Sequence, residues 1–230
     1  ATKSGCSGSH ISAMSMRSAD RALRNALCLK CPTALLSSKR LSDTLRDTVR
    51  SGIEAAVIDP LTGLHNRRYA IPHLARISDR ATRAGKPFAV MVADMDHFKQ
   101  INDTHGHAAG DAVLVETARR LRENLRAVDL VARIGGEEFL IVLPGAGLQS
   151  AKNAAQRLCR MIRATAFDVP GSAVPVTATI SIGMTVCDMP SRAVNTAPIT
   201  PEALLDRADK ALYGAKTEGR DRVTLSRPAA

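Results

Sequence analysis

The sequence predicts an α/β sandwich, in which a mixed sheet is flanked by helices, with a helical extension on its N-terminal side. Two observations predict the sandwich. Apolar runs alternate with amphipathic segments over residues 59–227, and a Gly-Gly pair at 135–136 separates two apolar runs as a β-hairpin requires. The extension is predicted by apolar residues that recur every four positions over residues 41–57.

The N-terminal part divides into an irregular segment, residues 1–36, and a helical linker, residues 37–58. Residues 1–18 are rich in Ser, Gly and Ala without a period. The apolar stripe of the linker consists of Leu41, Leu45, Val49, Ile53 and Val57. This stripe either packs against the chain's own domain or pairs with a second copy as a coiled coil. We favour the coiled coil, because the stripe is narrow and precedes the domain.

The remaining elements follow from hydrophobic periodicity and from turn signals. Lys86–Ala93 is a near-continuous apolar run, which is typical of a buried strand. The two glycines at 135–136 are expected to supply the positive φ angles of a two-residue hairpin turn. Further strands are predicted at 130–134, 137–143, within 174–186 and at 222–225, helices at 66–83, 96–102, 110–125, 147–166 and 201–216, and a Pro/Ser-rich loop at 188–200.

Composition narrows the function classes. Of the 230 residues, 45% are hydrophobic and 23% charged, as in an ordinary globular protein, and no apolar run reaches the length of a membrane span. Aromatic residues make up only 3%, which argues against stacking platforms for single-stranded nucleic acid. The net charge of +10 favours an anionic partner: nucleic acid, a membrane surface or nucleotide phosphates.

The cysteines favour a reducing compartment. The chain has five cysteines, an odd number, at irregular spacing, so we expect no disulfide framework. We therefore expect a cytoplasmic location. Cys28 and Cys31 form a CxxC pair that could hold zinc or act in redox chemistry, but no second pair or histidine pair stands at ligand spacing.

Two acidic pairs indicate a metal site. Asp94 and Asp96 follow the apolar run that ends at Ala93, and Glu137 and Glu138 follow the Gly-Gly pair. Carboxylates beside a buried strand are costly unless they are paired or bind a cation. Mg²⁺ prefers oxygen ligands and commonly bridges one or two carboxylates to substrate phosphates. The alternative is a pair of ordinary acidic turns.

Basic and amide residues add a possible nucleotide site. Lys99 near a helix start could hold a phosphate, and Lys216 and Arg220 share a helix face if the helix continues through Gly219. The sequence contains no P-loop and no GxGxxG motif, so the site needs another geometry. Asn102 and Asp111 could read a guanine, although Asp111 could equally stabilise the first turn of its helix.

Five ordered motifs together resemble the GGDEF family of diguanylate cyclases. They lie at residues 59–68 (DPLTGLHNRR), 94–103 (DMDHFKQIND), 105–111 (HGHAAGD), 133–139 (RIGGEEF) and 213–221 (YGAKTEGRD). The resemblance covers residues 58–226, and the last motif departs from the usual pattern by carrying Asp221 in place of Asn. It implies a largely antiparallel, palm-like nucleotidyl-cyclase sheet in a domain spanning residues 59–227.

The resemblance also implies the reaction and its residues. Two GTP molecules are condensed to cyclic di-GMP with release of two pyrophosphates, with Mg²⁺ as cofactor and Mn²⁺ as a substitute. The implied catalytic and metal-binding residues are Asp94, Met95, Glu137 and Glu138, of which Glu138 is a further ligand or helps activate the 3′-hydroxyl. The implied substrate-binding residues are Asn102 and Asp111 at the guanine, His97, Phe98, Lys99, Lys216 and Arg220 at the phosphates, and Gly135 and Gly136 close to the nucleotide.

Because one domain of this family holds one GTP, the resemblance implies a homodimer in which two domains meet face to face. Arg126 and Asp129 match the family's inhibitory RxxD site, which binds the product cyclic di-GMP. A binding module that only senses cyclic di-GMP is the alternative, but the intact Gly-Gly-Glu-Glu run at 135–138 favours the enzyme. No nucleic-acid partner is expected, since the sequence lacks an aromatic platform or a helix-turn-helix pattern.

Overall fold

The computed structural model describes residues 56–188 and 199–226, together with residues 44 and 52. The predictions for residues 1–36, including the CxxC pair, lie outside the described residues, as do nearly all of the linker helix and most of the loop at 188–200. Among the helices that the structure describes, none combines the length and the apolar character needed to cross a membrane.

Five helices and six strands form the described part of the chain. In order they are β1 (His65–Asn66), α1 (Arg67–Ala84), β2 (Phe88–Met95), α2 (Phe98–His105), α3 (His107–Glu123), β3 (Leu130–Arg133), β4 (Glu138–Pro144), α4 (Leu148–Ala164), β5 (Ile180–Cys187), α5 (Pro201–Thr217) and β6 (Val223–Leu225). The short strand β1 has no predicted counterpart. One strand, β5, forms in the region where one or two were expected.

The strands form one six-stranded sheet in the order β1-β3-β4-β2-β5-β6. The outer pairs β1/β3 and β5/β6 are parallel, and the three inner pairs are antiparallel. The prediction of a mixed, largely antiparallel sheet is therefore confirmed. Strand β2 is central, and all of its residues are buried, which explains why its sequence shows an apolar run rather than an alternation.

Each face of the sheet carries its own hydrophobic core. Alternate β2 residues such as Met91 and Ala93 pack with apolar residues of α2, α3 and α4. The intervening Val90 and Val92 pack on the other face with apolar residues of α1 and α5. Because strand side chains alternate between faces, Asp94 continues the Val90–Val92 face and lies on the side of α1 and α5.

Capping residues fix where the helices of that side begin. Asn66 accepts a hydrogen bond from the backbone N–H of Tyr69 at 3.1 Å and so caps α1. Thr200 caps α5 through the N–H of Ala203 at 3.3 Å, and Pro201 occupies the first turn. Helix α5 then runs back along β5 and β2 toward the end of the sheet where the acidic residues lie.

The hairpin between β3 and β4 differs from the prediction. Neither Gly135 nor Gly136 has a positive φ, and the N–H of Ile134 donates to the carbonyl of Glu138 at 2.9 Å. The loop therefore contains three residues, 135–137, and the predicted two-residue turn with left-handed glycines is wrong. The longer loop removes the need for left-handed backbone, so the glycines serve another purpose at this position.

Candidate active site

Two acidic side chains lie opposite each other where β2 ends and β4 begins. Asp94 is the register partner of Glu138, and one step further the N–H of Met95 donates to the carbonyl of Glu137 at 3.3 Å. The Asp94–Glu138 pair is thus of the non-hydrogen-bonded type, in which opposing side chains come closest. The register brings together the two acidic groups that stand 44 positions apart in the sequence.

Burial and mutual repulsion make negative charge unfavourable at this end of the strands. Burial raises the pKa of the Asp94 carboxyl, and the nearby Glu138 and Asp96 raise it further, against the lowering effect of Lys216. Burial also raises the pKa of Glu137, and Asp94 adds to that shift. Lys216 Nζ lies 2.9 Å from Asp94 Oδ1, so one lysine faces several carboxylates.

The donor set fits a divalent cation that substrate oxygens help to hold. Within the part of the chain that is described, no three His, Cys, Asp or Glu side chains converge to enclose a metal ion by themselves. Mg²⁺ commonly takes one or two carboxylates and completes its coordination with phosphates and water. Asp94 and Glu137 are the candidate side-chain ligands. The side chain of Met95 is buried in the core on the α2–α4 side, so only its backbone is available at this corner.

The two glycines of the β3–β4 loop leave space for different groups. A Cβ on Gly135 would lie 2.3 Å from Glu138 Oε2, so the missing side chain makes room for that carboxylate. A Cβ on Gly136 would meet nothing within 4 Å, so open space lies beside it. The expected room for a ligand is therefore present at Gly136, whereas the room at Gly135 is used by the protein itself.

Asn102 and Asp111 come from successive helices, and Asp111 directly follows Gly110, the residue that the Asn102 side chain lies against. A Cβ on Gly110 would lie 1.9 Å from Asn102 Oδ1, so the amide sits directly against this glycine. Helix α3 begins at His107 and carries no acidic residue in its first turn. Asp111 is exposed in the second turn, which removes the alternative that it serves as a first-turn stabiliser.

The predicted phosphate-binding residues occupy two chain segments near the ends of β2 and α5. His97 has a left-handed backbone with φ of 55° and precedes α2, whose first turn contains the buried Phe98 and the exposed Lys99. Helix α5 ends at Thr217, so Lys216 lies in its last turn and Arg220 lies beyond it. The helix therefore does not continue through Gly219, and the condition under which Lys216 and Arg220 would share one helix face is not met.

Asp96 has a structural function that the sequence did not indicate. Its carboxylate accepts hydrogen bonds from Thr179 Oγ1 at 2.6 Å, Ser181 Oγ at 2.7 Å and the N–H of Asp221 at 3.1 Å. The residue is only 3% exposed. Asp96 therefore anchors the segment after α5 to the end of β5, and the first acidic pair contributes one metal ligand candidate instead of two.

Arg133 is a site residue that sequence reasoning did not single out. Its guanidinium donates to the carbonyl of Gly136 at 2.7 Å and pairs with Asp59 at 3.1 Å. The β3–β4 loop is thereby tied to the start of the domain. Both residues belong to recognised motifs, at 59–68 and 133–139, but only the fold shows that the motifs touch.

The predicted inhibitory residues form an ion pair on the surface. Arg126 Nη2 lies 2.7 Å from Asp129 Oδ1, and the guanidinium also donates to the carbonyl of Pro144 at 3.2 Å. The arginine side chain is 60% exposed, whereas the aspartate is only 3% exposed. A cavity of about 430 Å³ lies beside the pair, lined by Arg122, Leu125, Val131 and the turn at residues 63–65. The site is thus separate from Asp94 and Glu137.

The sheet order and the acidic pair at the end of its two central strands define a palm-like nucleotide cyclase domain. Residues 56–222 match the family model described as "Diguanylate cyclase, GGDEF domain". The chain belongs to this family.

Curated relatives and solved structures agree with that assignment. The chain is 43% identical over 188 residues to the response regulator PleD of Caulobacter vibrioides, covering 82% of this chain and 40% of that protein. It is 42% identical over 173 residues to the diguanylate cyclase DgcP of Pseudomonas aeruginosa, covering 75% of this chain and 24% of DgcP. The chain therefore spans less than half the length of these curated relatives.

Among solved structures, the coiled coil and GGDEF domain of DgcB from Caulobacter crescentus, in complex with c-di-GMP, aligns with a TM-score of 0.75 at 26% identity. The alignment covers 84% of this chain and 98% of that one. The active GGEEF domain of a diguanylate cyclase from Vibrio cholerae aligns with a TM-score of 0.63 at 27% identity, covering 71% of this chain and 98% of that one.

Proposed function

We propose that this chain is a diguanylate cyclase that condenses two GTP molecules into cyclic di-GMP and releases two pyrophosphates. The observation that carries the proposal is the meeting of Asp94, Glu138 and Lys216 at the end of the central strands. The family membership of the chain supports the same reaction. The domain occupies residues 59–227, preceded by the linker at 37–58.

The geometry supports separate groups of residues for the guanine and for the triphosphate of GTP. Asn102 and Asp111 are available for the guanine, since an acid and an amide complement its N–H groups and carbonyl. Lys99, Lys216 and Arg220 carry positive charge for the triphosphate, together with backbone N–H groups at His97 and Phe98. The open space at Gly136 allows the nucleotide to approach the loop closely.

Mg²⁺, or Mn²⁺ in its place, would be held by Asp94 and Glu137, with Glu138 as a further ligand or as the group that helps activate the 3′-hydroxyl. When bound, the ion supplies charge neutralisation at the phosphates and lowers the pKa of the attacking hydroxyl. Lys216, which pairs with Asp94 at 2.9 Å, is then available to a phosphate oxygen. The remaining work of the protein is positioning for in-line displacement at the α-phosphorus.

The proposal includes a homodimer. Condensation of two GTP molecules requires each 3′-hydroxyl to reach the α-phosphorus of the other nucleotide, and each domain presents one acidic corner and one set of basic residues. The linker helix would hold two domains near each other and raise the effective concentration of the second half-site. The DgcB structure that aligns with this chain comprises a coiled coil and a GGDEF domain, which supports the same arrangement here.

A direct test is incubation of the chain with GTP and Mg²⁺, followed by chromatography of the products. We expect cyclic di-GMP and pyrophosphate from the wild type, and a loss of about 100-fold or more from Glu137→Gln, which removes a charge with little change in shape. Glu123→Gln is the matched control, because Glu123 is an exposed residue at the end of α3. A wild type that binds cyclic di-GMP but makes no product from GTP would favour the binding module instead.

We further propose that Arg126 and Asp129 form a product-inhibition site. The exposed guanidinium can grip guanine edges and phosphates in a planar fork, and the cavity beside it offers space for a flat ligand. Asp129 accepts from the N–H of Arg126 at 2.8 Å, so the backbone stays fixed when the arginine side chain turns toward a ligand.

The inhibition proposal is tested by measuring turnover against added cyclic di-GMP. We expect Arg126→Ala to raise the concentration for half-inhibition by about tenfold or more, the equivalent of roughly 1.4 kcal/mol of lost binding. Arg119→Ala serves as the control, because Arg119 is another surface arginine paired with carboxylates on α3. Equal inhibition of both variants and the wild type would reject the assignment.

A further inference from the structure

The segment that carries Arg220 has an unusual backbone. After α5 ends at Thr217, Gly219, Arg220 and Asp221 follow with φ of 115°, 63° and 47°. Left-handed backbone is unfavourable for residues with a side chain, and two such residues in succession persist only where their surroundings hold them. The direction in which Arg220 leaves this turn therefore depends on the contacts that stabilise it.

The turn is held from three directions. The N–H of Arg220 donates to the carbonyl of Ala215 at 2.9 Å, which ties it to α5. The N–H of Asp221 donates to the buried Asp96 at 3.1 Å, which ties it to the end of β2. The third contact comes from α4, where Arg163 Nη1 pairs with Asp221 Oδ2 at 2.5 Å.

The contact from α4 also places a positive charge next to the acidic side chain of Asp221. Asp221 is an acidic residue whose backbone N–H donates to the buried Asp96 carboxylate, and within the described residues Asp221 Oδ1 is buried without a hydrogen-bond partner. A carboxylate in a region of low exposure is unfavourable unless a cation compensates its charge. Arg163 is that cation, and its side chain, 55% exposed, reaches Asp221 from the surface.

We propose that Arg163 is a positioning residue for GTP binding: by neutralising Asp221, it holds the left-handed turn that directs Arg220 to the phosphates. This inference rests on the proposed function, in which Arg220 contacts the triphosphate. It is particular to a chain with an acid at position 221, because an amide there would carry no charge. Arg163 also lines a second cavity with Asp96, His97 and Thr179, and His97 is one of the residues proposed to bind the phosphates.

The test measures GTP turnover and, separately, the dissociation constant of a non-hydrolysable GTP analogue with Mg²⁺. Arg163→Gln should weaken analogue binding and lower kcat/KM by about tenfold, or roughly 1.4 kcal/mol, while Arg163→Lys should retain most of both. The double variant Arg163→Gln/Asp221→Asn should have the same analogue dissociation constant and the same kcat/KM as Asp221→Asn alone. Arg160→Gln, an exposed arginine on the same helix, is the matched control and should match the wild type.

A thermodynamic cycle with Arg220 separates positioning from general destabilisation. If Arg163 acts through Arg220, then Arg163→Gln should add little to the loss already caused by Arg220→Ala. Additive losses, or a failure of Asp221→Asn to rescue Arg163→Gln, would overturn the proposal. Analogue binding distinguishes a failure of this proposal from a failure of the proposed function. A wild type that binds the analogue but makes no cyclic di-GMP contradicts the proposed reaction. In that case the dissociation constants of the Arg163 and Arg220 variants still decide the role of Arg163.

Discussion

At the scale of single residues, the buried carboxylate of Asp94 lowers the stability of the fold and is needed for the proposed chemistry. Asp94 continues the buried Val90–Val92 face of the central strand and is only 5% exposed. A neutral residue would be more favourable at such a position, because burial penalises the charged form. The carboxylate is tolerated because Lys216 pairs with it. The part of its charge that Lys216 does not compensate is what would attract a cation.

The first prediction concerns Asp94→Asn in the absence of divalent ions. Because the folded-state pKa of Asp94 lies above its ordinary value of 3.8, the native state holds more protons than the unfolded state between the two values, and wild-type stability falls as pH rises through that window. Asp94→Asn has no carboxyl group at this position, so its stability does not fall over this pH range for that reason. We expect it to be more stable than the wild type at pH 7.5, by on the order of 1 kcal/mol, with the advantage disappearing as pH approaches 3.8.

Thermal unfolding across a pH series measures this difference. Asp79→Asn is the control, since Asp79 is an exposed residue of α1 that pairs with Arg83, and we expect no comparable gain. A wild type that is the more stable protein at pH 7.5 would show that Lys216 outweighs the cost of burial. Added Mg²⁺ and GTP should stabilise the wild type and leave Asp94→Asn unchanged.

At the scale of elements, one glycine sets the distance between α5 and the sheet. A Cβ on Gly183 of β5 would lie 2.1 Å from the carbonyl of Ala208 and 2.2 Å from the N–H of Leu212. These are backbone atoms of a regular helix and cannot yield without moving the whole element. Because α5 carries Lys216 in its last turn, the packing at Gly183 determines how the lysine reaches Asp94.

The second prediction compares two glycine substitutions at this contact. Gly183→Ala should destabilise the protein by roughly 2 kcal/mol or more through overpacking and should lower GTP turnover as α5 moves. Gly214→Ala on α5 should stabilise it by about 0.5–1 kcal/mol, the gain from replacing a glycine inside a helix, since its Cβ would meet Thr224 Cγ2 at an ordinary 3.5 Å.

Chemical denaturation gives both free energies of unfolding. A Gly183→Ala variant with unchanged stability and activity would show that α5 is free to shift on the sheet, and that its depth does not position Lys216. The comparison is internal, because both substitutions add one methyl group to the same packed layer.

At the scale of the whole molecule, the arrangement of the site predicts a reaction of two subunits. The described domain presents one Asp94–Glu138 corner and one pair of base-reading candidates, Asn102 and Asp111. Cyclic di-GMP contains two guanosines linked through two phosphodiester bonds. In the proposed reaction, a single domain would therefore supply half of the groups that are needed.

The third prediction is that activity per molecule rises with protein concentration and is suppressed by an inactive partner. A ninefold excess of Glu137→Gln should reduce the activity of wild-type subunits to roughly one tenth, as random pairing in a twofold dimer leaves few wild-type pairs. Rates measured after the two proteins are mixed and allowed to exchange provide the test. An unaffected rate would mean that one chain completes both bond-forming steps.

Much of this protein could be predicted from local patterns. The types of the helices and strands follow from hydrophobic periods of two or 3.6 residues, which depend only on neighbours in the chain. The acidic residues of β2 and β4 were found for a similar reason, because charge beside an apolar run is conspicuous wherever it occurs. Turn geometry was harder: the loop at 135–137 and the end of α5 depend on which partners the backbone meets in space.

The sequence by itself determined the order of elements, the alternation that gives each sheet face its core, and the motifs that identify the family. Only the tertiary structure decided which charges meet. Asp96 became an anchor instead of a ligand candidate, Arg133 joined two distant motifs, and Arg163 reached Asp221 across 58 positions. The physical reason is range: periodicity is a property of neighbouring residues, whereas an ion pair exists only after packing has brought its two partners within a few ångströms.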